Sequence, residues 1–304
     1  MIDVRRLQVL AAVAERGSFS AAAETLRLTQ SAVSQHVAAL EREVGLPLVE
    51  RGTRPVQLTE AGYALSRHAT GIFARLDGAE QELGEIAGRR HGRLRFGSFP
   101  TALATFVPAA FADFRARHPE VRLSVVDDHL QRLVPRLEAG ELDLALIYEH
   151  VALTDLAARD LVREPLFDDR FQAVLPAGHR LARRDRLSLV DLAGEGWVGG
   201  AETSAWWRIV RDGCRAAGFA PDVSFTSDDA VAVQALVAAR LGVAVIPGLA
   251  LTRPLPGVAV RHLDGPAPAR HICVARPRDA YQGRPVGAML DSLRLAAAGL
   301  ENRP

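Results

Sequence analysis

The sequence predicts a multidomain chain: a small, mostly α-helical winged helix-turn-helix, then one long helix, then a two-lobed α/β domain. Three observations predict this order. The N-terminal segment holds three short helical patterns and a hairpin pattern, the next segment repeats apolar side chains at heptad spacing, and the remainder alternates strands with helices. The predicted domain boundaries are 1–58, 59–90 and 91–304.

Composition indicates a globular chain without a membrane segment. Of the 304 residues, 48% are hydrophobic and 24% are charged. No apolar stretch reaches the roughly 18 to 20 residues that span a bilayer. Cys214 and Cys273 are too few for a disulfide framework, which favours a reducing compartment. We therefore expect a cytoplasmic protein. The first residues, "MIDVRRLQVLAAVAERGS", faintly resemble a signal peptide, but their apolar spacing fits a helix better.

Helix-capping residues divide the first part of the chain into three helices. The first is predicted from Val4 to about Glu15. Ser18 is suited to cap a second helix, Phe19 to about Leu26, because its hydroxyl accepts from an otherwise unpaired first-turn N–H. Thr29 is suited to cap the third, and Gly45 to end it in a left-handed conformation.

The third helix, in "TQSAVSQHVAALEREVG", combines an apolar face with an uncharged polar face. In a helix-turn-helix the second helix lies in the major groove, and amide and hydroxyl groups donate and accept as base edges do. A three-helix protein-interaction module is the alternative for the same pattern. The apolar face consists of Val33, Val37, Leu40 and Val44, and the predicted DNA contacts are Gln30, Ser31, Ser34 and Gln35.

The segment "LPLVERGTRPVQLT" predicts a small hairpin around Gly52 and Pro55, the wing. Up to residue 60 the chain carries seven arginines and seven acidic residues, so this region is neutral overall. Nucleic-acid-binding domains usually show a basic footprint. In this neutral region the basic footprint must be local, and the predicted phosphate contacts are Arg51 and Arg54 in the wing.

A long helix is predicted from Thr59 to about Arg89. Its apolar residues alternate spacings of four and three, a heptad seam that favours a partner helix. We therefore predict a homodimer or homotetramer through the helix at 59–90; the alternative is a helix buried within its own chain. The seam consists of Leu65, Ala69, Ile72, Leu76, Ala79, Leu83 and Ile86.

Beyond residue 90, strands alternate with helices, as in a parallel sheet with crossover connections. Lobe 1 is predicted at about 91–163 and 268–304, and lobe 2 at about 164–267. The last helix, roughly Val286 to Ala298, would return to lobe 1. The other predicted helices run from about Leu103 to Arg117, Leu130 to Ala139, Ala205 to Ala217 and Asp228 to Leu241.

Ligands of open parallel sheets bind at the carboxyl ends of the strands. We therefore expect a small organic effector between the lobes. Helix capping by Ser98, Thr101 and Ser227, and a helix stop at Pro247, are the alternative roles. Ser98, Thr101 and nearby N–H groups suit an anionic or polar effector. The triplet Asp127, Asp128 and His129 would instead oppose an anion, or suit a cationic or hydroxylated ligand. The predicted effector contacts are Ser98, Pro100, Thr101, Tyr148, Gly200, Thr203, Ser227 and Pro247.

The run from Leu7 to Gly62 strongly resembles the DNA-binding domain of LysR-type transcriptional regulators. "AVAERGSFSAAAETL", "TQSAVSQHVAALE", "VGLPLVER" and "LTEAG" appear in the family's order and spacing. The resemblance implies a dimerising linker helix and an effector domain like type II periplasmic binding proteins. It also implies that Gln30, Ser31 and Ser34 approach bases and that Arg51 approaches phosphate. Val49 stands where the family commonly has phenylalanine.

The predicted function is sequence-specific transcriptional regulation on double-stranded DNA, tuned by the effector, with RNA polymerase as a further candidate partner. A two-lobed solute-binding receptor is the alternative. No enzyme is predicted, because the chain lacks a G-x-S-x-G elbow, a Walker loop and a dinucleotide fingerprint. No catalytic residue, metal or cofactor is predicted, since "DDH" at 127–129 lacks the spacing of metal ligands on one helix face.

Overall fold

The computed structural model describes residues 2–50, 55–87, 92–156, 161–278 and 283–301. The chain folds into two compact units that divide near residue 90, and each is treated separately below.

The N-terminal unit consists of four helices and a short hairpin. Ser18 and Thr29 cap their helices as predicted, accepting hydrogen bonds from the backbone N–H groups of Ala21 and Ala32. Gly45 ends the third helix with φ 74°, the left-handed conformation that glycine adopts at least cost. The helices are α1 (Val4–Arg16), α2 (Phe19–Leu26), α3 (Gln30–Val44) and α4 (Glu60–Ile86).

Apolar side chains from α1, α2 and α3 pack in the centre of this unit. Val13 and Val33 are fully buried, and Leu10 and Leu40 are buried in a second cluster beside the start of α4. Because four aliphatic residues of α3 repeat at helical spacing, three of them reach this core, while Val44 is half-buried. The helix is therefore held by one face only.

The two sides of the predicted wing pair as a minimal antiparallel hairpin. Val49 pairs with Leu58, and the N–H of Glu50 donates to the carbonyl of Gln57 at 2.9 Å. Thr59 closes the hairpin, because its hydroxyl donates to the carbonyl of Pro47 at 2.7 Å. The predicted phosphate contacts Arg51 and Arg54 lie outside the described residues.

The second unit is built on an eight-stranded mixed sheet. Seven strands run in the order β2-β1-β3-β10-β4-β9-β5, and β8 pairs with β4. Two further strands, β6 and β7, pair in parallel. The strands are β1 (Arg93–Ser98), β2 (Arg122–Asp127), β3 (Leu144–Glu149), β4 (Leu161–Pro176), β5 (Arg186–Leu187), β6 (Gly196–Gly199), β7 (Asp222–Thr226), β8 (Ala244–Pro247), β9 (Val258–Leu263) and β10 (Ala269–Pro277).

Parallel pairing of β1 with β2 and β3 forms lobe 1, as the alternation of strands and helices predicts. Two long strands cross between the lobes. β4 pairs with β10 along one half and with β8 and β9 along the other, so it runs through the predicted lobe boundary at 163–164 without a break. The sequence pattern does not predict the strands β5, β9 and β10.

The helices flank this sheet. The helix predicted from about Leu103 to Arg117 ends as predicted but begins four residues later, at Val107, and a separate short helix ends at Leu103. Pro108 stands in the first turn of the longer helix, where a missing N–H costs least. The final helix packs against α6. The helices are α5 (Pro100–Leu103), α6 (Val107–Arg117), α7 (Leu130–Glu138), α8 (Ala205–Ala216), α9 (Ala230–Ala238) and α10 (Arg284–Glu301).

Within the described part of the chain, none of the helices combines the length and the apolarity needed to cross a bilayer.

Candidate nucleic-acid interface and effector cleft

The polar face of α3 lies opposite its buried face. Val33, Val37 and Leu40 are no more than 2% exposed. The four predicted DNA contacts, Gln30, Ser31, Ser34 and Gln35, are all exposed.

The first turn of α3 is fixed by its own cap. The hydroxyl of Thr29 accepts from the N–H of Ala32 at 3.2 Å and lies 3.0 Å from the hydroxyl of Ser31. Ser31 is therefore tied to the cap, whereas the side chains of Ser34 and Gln35 project from the next turn of the helix. The face carries no formal charge, so it offers hydrogen bonds instead of phosphate attraction.

The heptad seam of α4 is buried at one end and exposed along the rest. Leu65 packs on the core and Ala69 is fully buried, so this end belongs to the unit's own interior. Further along, Ile72, Leu76 and Leu83 are 38%, 48% and 65% exposed. The intrachain alternative thus holds only for the first turns. Ala79 is exposed too, and Ile86 lies outside the described side chains.

In lobe 1, the end of β1 and the short helix α5 that follows it carry three predicted effector contacts in different settings. Ser98 is fully buried and its hydroxyl donates to the carbonyl of Phe99 at 3.2 Å. Pro100 is exposed and Thr101 is half-buried. Neither Ser98 nor Thr101 is the N-cap of α5, because Phe99 occupies that position without a side-chain hydrogen bond. The capping alternative for these two residues is therefore wrong.

In lobe 2, the predicted contacts follow β6, β7 and β8. The carbonyl of Thr203 accepts a hydrogen bond from Gln131 of α7, so it meets lobe 1. The N–H of Ala201, the residue after Gly200, donates to the carboxylate of Asp228 at 3.2 Å. Pro247 is buried at the end of β8.

Ser227 does not cap α9. Asp229 is the N-cap, and its carboxylate accepts from the N–H of Val231 at 2.7 Å. The hydroxyl of Ser227 instead accepts from the N–H of Asp229 at 3.2 Å. The capping role predicted for Ser227 therefore belongs to the residue two positions later.

A cavity of about 500 Å³ lies in the second unit beside β3. It falls in the size range of small-molecule sites. Of the predicted effector contacts, Tyr148 lines this cavity and the other seven do not. His150, which was not predicted, also lines it. Much of the remaining wall is aliphatic, with Leu130, Val134, Ile147, Val151, Leu153, Ala267 and Ala269.

Two charged residues that the sequence analysis missed lie on the crossover strands β4 and β10. Arg270 of β10 is 2% exposed and Asp169 of β4 is 5% exposed, and the two are directly paired across the strands. The Nε of Arg270 donates to Oδ2 of Asp169 at 2.9 Å, and its Nη2 donates to the hydroxyl of Thr101 at 2.7 Å. No local pattern marks them, because they are 101 residues apart.

Aromatic rings enclose the Arg270 guanidinium. Its central carbon lies 4.8 Å from the ring centroid of Phe99 and 4.5 Å from that of Tyr148, within cation–π range. The two rings meet edge to face at 5.1 Å. Burial raises the pKa of Tyr148, with the positive charge of Arg270 opposing the shift.

A second ion pair joins the lobes at their rim. Arg208 of α8 donates to both carboxylate oxygens of Asp155, at 2.6 and 3.0 Å, and to the carbonyl of Ala152 at 2.8 Å. Asp155 and Ala152 belong to a short 3₁₀ helix that follows β3. This contact raises the pKa of Arg208.

Acidic groups near the end of β2 form no metal site in the structure. Burial raises the pKa of Asp127, with the negative charge of Asp128 as a smaller cause. Across the described residues, no three His, Cys, Asp or Glu side chains come close enough together to hold a metal ion.

Comparisons with known proteins identify both parts of the chain. Residues 4–63 match the family model described as bacterial regulatory helix-turn-helix protein, lysR family, and residues 87–298 match the LysR substrate binding domain. The transcriptional regulator ShiR of Corynebacterium glutamicum is 34% identical over 80% of this chain and 82% of its own length.

Two further proteins match along nearly the whole length. A probable hydrogen peroxide-inducible genes activator of Streptomyces viridosporus is 31% identical over 99% of this chain and 96% of its own. The structure of a full-length OxyR variant from Pseudomonas aeruginosa superimposes with a TM-score of 0.75 at 24% identity, covering 97% of this chain and 95% of that one.

The matches to a helix-turn-helix and a substrate-binding domain favour a regulator over a solute-binding receptor. The chain belongs to the LysR family, as a transcriptional regulator with an N-terminal DNA-binding domain and a C-terminal effector-binding domain.

Proposed function

We propose that α3 reads its operator through Gln30, Ser31, Ser34 and Gln35, with Arg51 and Arg54 of the wing as phosphate contacts. The observation that carries this proposal is the exposure of an uncharged polar face opposite the buried Val33. Because packing holds the helix by its apolar face, the polar side chains are presented rigidly. Amide groups pair bidentately with adenine, and hydroxyl groups pair with several bases.

Selection of binding sites from random DNA tests this proposal. The double variant Gln30→Ala with Ser34→Ala should lose preference for the selected operator and keep salt-dependent binding to unrelated DNA, because phosphate contacts remain. Gln8→Ala, an exposed residue of α1, is the control and should keep the preference. Unchanged preference in the double variant would rule out α3 as the reading element.

We propose that two chains associate through the exposed part of the α4 seam to form a homodimer, or a homotetramer of two such dimers. Ile72, Leu76 and Leu83 form an apolar row on α4, and in a single chain these large side chains are exposed to water. A second α4 would cover that row by knobs-into-holes packing. Two linked reading helices bind two half-sites with higher affinity than either alone.

The proposed effector is a small organic molecule that binds non-covalently in the second unit, at the cavity beside Tyr148 and the neighbouring loops. Aliphatic walls with a few polar groups suit an organic ligand with an apolar body. Binding would shift the lobes between arrangements and thereby change how the dimer holds DNA or contacts RNA polymerase. The proposal places this activity in the cytoplasm and includes no catalytic step.

Peroxide sensing, the activity in the name of the Streptomyces relative, does not extend to this chain in our proposal. Both cysteines are buried, Cys214 in α8 and Cys273 in β10. Burial raises the pKa of each thiol to about 12. Since the thiolate is the reactive species, neither residue has the environment of a sensor cysteine.

A thermal-shift screen of metabolites with the full-length protein identifies the effector. A true effector raises the unfolding temperature and changes the affinity for the selected operator, because the two sites are thermodynamically coupled. Tyr148→Phe and Tyr148→Ala should both reduce the rise in unfolding temperature that the effector causes, and Tyr148→Ala should reduce it more. A ligand that stabilises the protein equally in all three forms binds elsewhere and contradicts the proposed location.

A further inference from the structure

A chain of four polar contacts crosses from lobe 1 to lobe 2 through the buried ion pair. On the lobe 1 side, Nη2 of Arg270 donates to the hydroxyl of Thr101 at 2.7 Å. In the middle, Arg270 contacts Asp169 through Nε and Nη2, at 2.9 and 2.8 Å. On the lobe 2 side, Oδ1 of Asp169 accepts from the N–H of Leu249 at 3.0 Å.

The two ends of this chain lie in or beside segments that were predicted to meet an effector. Thr101 lies in the short helix α5 that follows β1, and Leu249 lies two residues beyond Pro247, in a 3₁₀ helix that follows β8. The ion pair itself lies on the two crossover strands, in direct register. Arg270 and Asp169 thus connect the two segments directly.

Because these contacts are buried, losing one of them costs more free energy than losing an exposed contact. The side chains of Arg270 and Asp169 are 3% and 4% exposed, so water does not replace a lost partner. An ion pair at this depth is expensive to desolvate and is held only when further hydrogen bonds satisfy both groups. Here Thr101 and Leu249 supply those bonds, and the rings of Phe99 and Tyr148 fill the space beside the guanidinium.

We infer that Asp169 and Arg270 form a positioning pair that couples the segment at Thr101 to the segment at Leu249. Loosening either segment leaves a buried charge short of a partner, so the other segment loses its anchor as well. The pair thereby sets the two faces of the cleft in one arrangement. Its role in regulation rests on the proposed effector cleft, whereas the coupling itself is a property of the ligand-free protein.

Hydrogen–deuterium exchange on the full-length protein without effector tests the coupling. Arg270→Met should speed exchange in the segment 246–252, although Arg270 reaches the amide of Leu249 only through Asp169. Asp169→Asn should speed exchange in 99–105, although Asp169 reaches Thr101 only through Arg270. The double variant should show no more exchange in either segment than the single variants, because one unit has been broken.

Local roles predict a different pattern. If each residue only supports its own neighbour, Asp169→Asn would affect 246–252 alone, Arg270→Met would affect 99–105 alone, and the double variant would show both effects added. That result would overturn the inference. A failed effector screen would leave the exchange result unchanged, so the coupling and the proposed function fail separately.

Two further variants guard against trivial explanations. Arg208→Met breaks the other Arg–Asp pair between the lobes and should leave both segments protected; if it exposes them equally, general separation of the lobes is the cause and the inference fails. Thr101→Val keeps the ion pair and removes only its lobe 1 acceptor. It should speed exchange in 246–252 even if the charged variants do not fold, and no change there would also overturn the coupling.

Discussion

The carboxylate of Glu41 in α3 holds the start of the wing. Its Oε1 accepts hydrogen bonds from the N–H of Leu48 at 2.8 Å and from the N–H of Val49 at 3.3 Å. Leu48 is buried, so its N–H has little access to water. The reading helix and the wing are therefore joined by a charge-assisted contact as well as by packing.

Replacing Glu41 with alanine should destabilise the N-terminal unit by about 1–3 kcal/mol, because two backbone donors lose their acceptor. Affinity for the operator should fall with it, since the wing is no longer fixed against α3. Glu41→Gln keeps one acceptor oxygen and should lose less. Denaturant unfolding and DNA binding at one salt concentration measure both effects.

Glu24→Ala is the control for Glu41→Ala, because Glu24 is an exposed acid on the neighbouring α2. It should leave stability nearly unchanged. Equal losses from both variants would indicate that the removal of a negative charge, and not the wing contact, is responsible.

Two glycines of α4 predict opposite effects of the same substitution. A Cβ on Gly62 would lie 2.0 Å from the carbonyl oxygen of Leu48, whereas a Cβ on Gly71 has no atom within 4 Å. Gly62→Ala should therefore destabilise the wing and its junction by at least about 1–3 kcal/mol. Gly71→Ala should stabilise α4 by about 0.5–1 kcal/mol, the helix propensity difference.

The unfolding midpoint of each glycine variant, measured on the full chain, checks this pair. Since both substitutions add one methyl group to the same helix, the sign difference isolates the contact with Leu48. A Gly62→Ala protein as stable as the parent would show that the backbone at Leu48 moves away without cost.

The exposed seam of α4 predicts that a charge at its centre separates the subunits. Leu76→Glu with Leu83→Glu should convert the oligomer into smaller species, because facing helices would bury like charges. Mass measurement by sedimentation or light scattering is the test. Arg67→Glu, an exposed residue of α4 on the side away from the seam, is the control and should keep the parent mass. An unchanged mass in the leucine double variant would place the interface elsewhere.

Helices with periodic apolar faces and local caps could be predicted because their determinants lie within a few residues of each other. Ser18, Thr29 and Gly45 act on neighbouring backbone groups, and α3 shows its buried face in the spacing of Val33 and Val37. Pro108 is also a local signal, because proline favours a first helical turn, and it accounts for the start of α6 at Val107 instead of Leu103.

The contacts that organise the second unit could not be predicted in this way. Arg270 meets Asp169 only after β10 has paired with β4 in one register, and the two residues are 101 positions apart. The same holds for Asp228, which fixes the backbone beside Gly200 from 27 residues away. Sequence periodicity identifies faces and ends of elements, while these partners depend on which strands become neighbours.

The buried thiols predict resistance to oxidation. With the pKa of Cys214 and Cys273 raised to about 12, the reactive thiolate form is scarce at pH 7. Native protein should react with a thiol-specific reagent far more slowly than unfolded protein, and peroxide should leave DNA binding unchanged. Rapid labelling of the native protein would contradict the burial of the two thiols. A peroxide response that is abolished by Cys214→Ser or Cys273→Ser would contradict the non-covalent effector proposed above.

His150 predicts a loss of stability in mild acid. Burial in the cavity wall lowers its pKa below the ordinary 6.5, with His271 adding to the shift and Asp212 opposing it. The neutral ring accepts from the N–H of Ala152 at 3.0 Å through Nδ1. As the pH falls below 6.5, the unfolded chain takes up the proton first, so the free energy of unfolding decreases until the pH passes the folded pKa.

His150→Asn should flatten this part of the stability profile, because asparagine does not titrate and its side-chain oxygen remains able to accept from Ala152. Unfolding midpoints of the full chain at a series of values between pH 7.5 and about 5 measure the slope. Thr154→Ala, which alters the same cavity wall without a titratable group, should keep the parent slope. If the His150 variant keeps it as well, the acid sensitivity arises from other groups.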